Sequence, residues 1–147
     1  MSTAIAFIGL GNMGLPMAKN LLAKGYSVTG FDMSADALAA LEAAGGKRAE
    51  SASAAAMASE VVITMLPAGD HVTDVYLGDG GVMKACQAGT LLIDCSTIDV
   101  ASARAVRAGR GMWALTPCCG ASGAPVALAL DGSRDRRARA QRREPHA

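Results

Sequence analysis

The chain has 147 residues, 51% of them hydrophobic and 3% aromatic, with a formal net charge of +1. That length and composition fit one packed domain with a core of Ala, Val, Ile, Leu and Met, and they exclude a wholly disordered chain. The near-neutral charge gives no global field for recruiting nucleic acid or a membrane surface, and no run approaches the ~20 apolar residues of a membrane helix.

Thr3–Ile8 reads as a buried strand that breaks at Gly9, too early for a secretory apolar region. A Gly9-Leu10-Gly11-Asn12-Met13-Gly14 turn follows and opens a helix over Asn12–Ala23, with Pro16 in its first turn and Gly25 as its stop. This order suits a dinucleotide pyrophosphate. Gly9 permits the tight turn, Gly11 lets a phosphate approach the backbone, and Gly14 lets the helix pack close to the strand. The N–H groups and positive dipole end of the helix add the attraction.

Tyr26–Phe31 is a second strand ending at Asp32, 18 residues past Gly14. A carboxylate there accepts hydrogen bonds from ribose hydroxyls and repels a 2′-phosphate, which favours NAD over NADP. Phe31-Asp32-Met33-Ser34 also offers no Arg or Lys for such a phosphate. Ser34 caps a helix over Ala35–Ala44, which Gly45-Gly46 ends. Lys47–Glu50 is a short third strand, and Ser53 caps an Ala-rich helix reaching Ser59.

Val61–Met65 is a fourth strand, stopped by Leu66-Pro67. Asp70–Leu77 is helical and places His71 beside that stop; Val82–Cys86 adds a helical turn after Gly78-Asp-Gly-Gly81. Thr90–Asp94 is a fifth strand and Asp99–Ala108 a helix. Between them, Ser96 and Thr97 carry hydroxyls that can donate to a small substrate or the nicotinamide, while Thr97 or Asp99 can equally cap the helix. Short apolar strands alternating with helices mean an α/β fold, a doubly wound parallel sheet with ligands at the carboxyl ends of its strands.

The four cysteines, Cys86, Cys95, Cys118 and Cys119, form no C-x-x-C pair and have no histidine at ligand spacing. We read a reducing, cytoplasmic setting and no metal site. Basic residues change character along the chain: one arginine and four lysines precede Arg104, and nine arginines with no lysine follow from there on. Ser133–Ala147 holds six arginines in fifteen residues, no aromatic side chain and no regular helical face. A solvated, largely disordered end fits this better than a basic arm for nucleic acid.

Phe7–Leu21, Ile63-Thr-Met-Leu-Pro67 and Leu91–Asp99 keep their mutual spacing, and together they resemble the β-hydroxyacid dehydrogenases, in particular the subgroup acting on 3-hydroxyisobutyrate. The match runs from about Ala4 to about Arg107. The resemblance implies a Rossmann-type sheet and NAD-dependent oxidation of a small 3-hydroxy acid to its semialdehyde, a step of valine breakdown. An NAD(P)-dependent tartronate or succinic semialdehyde reductase is the alternative enzyme, and a non-catalytic NAD-binding fragment the alternative outside that class. Carried over by motif, Gly9 to Gly14 cradle the pyrophosphate and Asp32 holds the ribose. Leu66, Pro67, His71 and Thr97 line the cofactor, and Ser96 meets the substrate.

Family members continue into a substrate loop and an all-helical second half. That half supplies a lysine for proton transfer and much of a homo-oligomer contact. This chain has no lysine after Lys84, so no catalytic residue is assigned and any oligomer is weakened. The expected organisation is an incomplete NAD-binding Rossmann domain over 1–110 and a divergent, irregular tail over 111–147. A change of coding frame between Gly109 and Thr116 is the expected origin of the tail, and the chain is expected to be inactive.

Overall fold

The computed structural model describes residues 2–108 and 126–129. Apolar, β-branched runs form the strands β1 (Ala4–Ile8), β2 (Ser27–Phe31), β4 (Val61–Thr64) and β5 (Leu91–Asp94), with a two-residue β3 (Lys47–Arg48) at one edge. A further strand, β6 (Val126–Ala129), lies at the other edge, and the sheet order is β3-β2-β1-β4-β5-β6. The first five strands are parallel, and β6 runs antiparallel to β5. An antiparallel edge on an otherwise parallel sheet is a common variation of the doubly wound fold. The expected Rossmann-type α/β architecture is therefore present. Of the tail, only β6 falls among the described residues; Cys118, Cys119 and most of 111–147 lie outside them.

Both faces of β1 are buried. Ile5 and Phe7 pack with Val28 and Ile63 under α1 (Gly14–Ala23) and α2 (Ala35–Ala43), where Ala18, Leu38 and Leu41 close the core. Ala6 and Ile8 pack with Val62 and Leu92 on the opposite face. Helices α3 (Ala52–Met57), α4 (Gly69–Leu77), α5 (Val82–Ala85) and α6 (Val100–Ala108) cover that side through Ala55, Val72, Tyr76, Val82 and Val106. This two-sided burial explains why β1 reads as a continuous apolar run instead of an alternating one.

Both helices on the first face end in the same way. Gly25 and Gly45 adopt φ of +88° and +94°, and the backbone N–H groups of Tyr26 and Gly46 return to the carbonyls of Leu21 and Leu41. Glycine reaches that left-handed conformation without strain. Helix α3 corrects one expectation. Its cap is Ser51, whose side chain accepts from the Ala54 N–H at 3.0 Å, whereas the Ser53 hydroxyl donates to the Gly80 carbonyl across to the next loop. Two serines two residues apart compete for the cap, and tertiary contact with Gly80 takes the second. At α6 the choice between Thr97 and Asp99 falls to Asp99, which accepts from the Ser102 N–H at 2.9 Å. No helix among the described residues is long and apolar enough to cross a membrane.

Leu41 is fully buried between α2 and the sheet, and its side chain fills the space above Gly30 and Gly46. Leu41→Ala is expected to lower unfolding free energy by about 2–5 kcal/mol, against under about 0.5 kcal/mol for Met57→Ala on the exposed side of α3, as read by urea titration.

Candidate dinucleotide site

The sheet register sets the site. Phe31, Ile8, Thr64 and Asp94 are paired in one row across β2, β1, β4 and β5. The residues that follow them, Asp32, Gly9, Met65 and Cys95, therefore leave the sheet along one edge. The chain reverses its direction of winding between β1 and β4, and a crevice opens at such a switch point.

Gly9 occupies that crevice with φ +94°. Its N–H donates to the Phe31 carbonyl at 3.0 Å, and a Cβ on it would run into the Met65 carbonyl and meet Leu66 Cδ2 at 3.1 Å. Gly14 is equally confined, since a Cβ there would run into the Gly9 carbonyl and reach Phe7 Cε1 at 3.2 Å. Gly11 differs: a Cβ on it would meet nothing within 4 Å. Two glycines thus satisfy the protein's own packing, and the third leaves open space in front of the turn.

The polar groups of the turn divide in the same way. The Leu10 N–H is taken by Asp32 Oδ2 at 2.5 Å, and the Leu15 N–H returns to the Gly11 carbonyl at 3.1 Å. Among the described residues, the N–H groups of Gly11, Asn12, Met13 and Gly14 find no protein acceptor, and Met13 supplies no side-chain cap to α1. Unpaired N–H groups at a helix N-terminus are a built anion site.

Asp32 is half-buried at the end of β2, with the Ser34 N–H on Oδ1 at 2.7 Å in addition to Leu10 on Oδ2. A carboxylate has about four acceptor positions, so each oxygen keeps room for a further donor. Asp32 therefore fastens the glycine turn to β2 and still presents acceptor capacity to the crevice.

A cavity of about 540 Å³ runs along this edge. Gly9, Gly11, Asn12, Met13, Gly14, Asp32, Leu66, Pro67 and His71 line it, which brings together nearly all the residues singled out in the sequence. Leu10 is buried and lines an adjoining hollow of about 390 Å³, which shares Gly11, Asn12 and Asp32 with the larger cavity and also reaches Ser34 and Ala37. Ser96 and Thr97 are not in either wall. Thr97 is exposed beyond the end of β5. The Ser96 hydroxyl donates to Asp94 Oδ1 at 2.6 Å and accepts from the Leu66 N–H at 2.8 Å. Its proton is already committed inside the protein, so it has no donor left for a substrate.

Met65, Asp74 and Val75 also line the cavity and were not singled out in the sequence. Asp74 and Val75 lie three and four residues past His71 on α4, so helical spacing alone places them on its face. Nearby, burial raises the Cys86 thiol to about 11; burial first, and the Asp94 charge second, raise the Cys95 thiol as well. Neither is a ready thiolate nucleophile at neutral pH.

Several known proteins share this arrangement. A family model described as the NAD binding domain of 6-phosphogluconate dehydrogenase matches residues 4–114. A 3-hydroxyisobutyrate dehydrogenase of Pseudomonas aeruginosa is 46% identical over 135 residues, covering 90% of this chain and 43% of that protein. An NAD-dependent L-serine dehydrogenase of the same organism is 50% identical over 104 residues, 71% of this chain and 35% of that one. Among solved structures, a Mycobacterium tuberculosis 3-hydroxyisobutyrate dehydrogenase with L-serine superimposes with a TM-score of 0.68 at 46% identity, over 74% of this chain and 36% of that one. The chain thus spans less than half the length of the relatives it matches.

The glycines make a stability test. Gly9→Ala and Gly14→Ala are expected to destabilise the fold by about 2 kcal/mol or more, through backbone collision and, at Gly9, left-handed strain. Gly11→Ala should stay within about 1 kcal/mol of the unmutated chain in the same urea titration.

Proposed function

The chain belongs to the family of the NAD binding domain of 6-phosphogluconate dehydrogenase, and from that premise we propose that residues 1–110 form a domain holding NAD in preference to NADP. One observation carries the reading: four consecutive N–H groups, Gly11 to Gly14, have no protein acceptor among the described residues and belong to residues lining a cavity with Asp32 at one end and Leu66, Pro67 and His71 at the other. The pyrophosphate sits on the N–H groups, where the open face of Gly11 admits it. Asp32 accepts from the adenosine ribose through the lone pairs that Leu10 and Ser34 leave unused, and its charge repels a 2′-phosphate. Leu66, Pro67 and His71 take the nicotinamide half.

When bound, NAD supplies a hydride acceptor for the carbon of a small 3-hydroxy acid, which becomes a semialdehyde. 3-Hydroxyisobutyrate is the substrate we propose, supported by the relative at 46% identity. L-Serine, also a 3-hydroxy acid, is the second reading, supported by the relative at 50% identity. The carboxylate at Asp32 and the lack of Arg or Lys in residues 31–34 weigh against an NADP-preferring semialdehyde reductase.

Hydride can leave the carbon only as the hydroxyl proton is taken up. This chain has no lysine after Lys84 to take it, and Ser96 is turned inward. We therefore propose that these 147 residues bind the cofactor without turnover. We also propose that residues 111–147 form a divergent tail arising from a shift of reading frame, a reading supported by the change from lysine to arginine. A cytoplasmic setting is supported by the free thiols Cys86 and Cys95.

Calorimetric titration checks the cofactor reading. NAD is expected to bind saturably and at least about tenfold more tightly than NADP, and Asp32→Ala to remove that preference. Equal affinity for both, or none for either, would sink it. No NADH formation is expected with 3-hydroxyisobutyrate or L-serine.

A further inference from the structure

We propose that Asp94 is a positioning residue that fixes two walls of the cavity around the nicotinamide half, and so sets affinity for that half separately from the adenosine half. The inference rests on the cofactor reading above and deepens it.

The observation is a polar chain inside an apolar region. Asp94 ends β5 and Thr64 ends β4, opposite each other in register. The Thr64 hydroxyl, wholly buried, donates to Asp94 Oδ1 at 2.8 Å and lies 2.9 Å from the Tyr76 hydroxyl on α4. The same carboxylate oxygen accepts from the Ser96 N–H at 3.1 Å and the Ser96 hydroxyl at 2.6 Å. The Ser96 oxygen in turn accepts from the Leu66 N–H at 2.8 Å. Burial holds the Tyr76 phenol well above its ordinary range, so it stays protonated and can donate to Thr64.

Each end of the chain leads to a cavity wall. Leu66 N–H is the backbone of the loop whose side chain lies against Gly9 and lines the cavity. Tyr76 is buried one residue beyond Val75, and α4 carries His71, Asp74 and Val75 into the same lining. A buried polar chain of this kind is costly if half satisfied and geometrically restrictive when complete. Two apolar replacements at positions 64 and 76 could fill the same space, but they would not hold a loop and a helix to one carboxylate. None of these residues touches the glycine turn or Asp32 through a hydrogen bond among the described residues, so the polar chain reaches the nicotinamide half more directly than the adenosine end.

The test compares NAD with ADP-ribose, which has the same adenosine and pyrophosphate but no nicotinamide. In Asp94→Ala and Ser96→Ala, the Kd for NAD should rise roughly tenfold, the order expected for a lost charge-assisted hydrogen bond, while the Kd for ADP-ribose moves by less than about twofold. Tyr76→Phe keeps the volume and should show the same selectivity with a smaller rise. Hydrogen exchange of the Leu66 amide in the ligand-free chain should quicken in Ser96→Ala, the milder variant for folding. Equal weakening of both ligands, or unchanged NAD affinity with unchanged Leu66 exchange, would overturn the proposal. If the unmutated chain failed to bind ADP-ribose, the cofactor reading would fall and this inference with it.

Discussion

The passage of the chain out of β1 governs everything at the ligand edge. Gly9 sits at φ +94° with the Met65 carbonyl in the space a Cβ would need. Only glycine tolerates both conditions, the left-handed backbone and the close approach of a second loop. Because β1 can leave the sheet directly beneath the β4 loop, α1 starts immediately and points its N-terminus along the crevice. Gly14 then packs on the Gly9 carbonyl, which locks the first turn of the helix against the strand it came from.

Around that turn, two carboxylates play the same part at the ends of two strands, Asp32 on β2 and Asp94 on β5. Asp32 takes the Leu10 and Ser34 N–H groups and fastens the glycine turn to β2. Asp94 takes Thr64 and Ser96 and, through Ser96, fastens the β4 loop to β5. Among the described residues, the N–H groups of Gly11 to Gly14 have no protein acceptor. Carboxylates take the loop donors beside the turn and leave these four for an outside anion. Chemistry on a bound hydroxy acid needs more than this cradle, namely a proton acceptor placed at the substrate hydroxyl.

Local and short-range signals carried much of this into the sequence. A strand, a glycine turn and an acidic residue at the end of the next strand lie within 32 residues, and their spacing alone places Gly9, Gly14 and Asp32 at one edge. The stops at Gly25 and Gly45 were legible for the same reason. Long-range partners were not. Whether Ser51 or Ser53 caps α3 depends on Gly80, 27 residues beyond Ser53. The inward turn of Ser96 depends on Asp94 and on the Leu66 N–H 30 residues earlier. Thr64 looks like one more β-prone residue until Tyr76 and Asp94 are seen to meet its hydroxyl. β6 gave no signal either: its four residues read as part of an irregular tail, and its antiparallel pairing to β5 is a matter of topology.

The proposed pyrophosphate seat is the set of four N–H groups of Gly11 to Gly14, without a protein acceptor among the described residues. Amide chemical shifts of labelled protein, followed as NAD or adenosine is added, read those groups directly. NAD is expected to move the Gly11, Asn12, Met13 and Gly14 amides strongly, and adenosine, which has no phosphate, to move only those near Asp32. Saturation with NAD while the four amides stay unmoved would contradict the account.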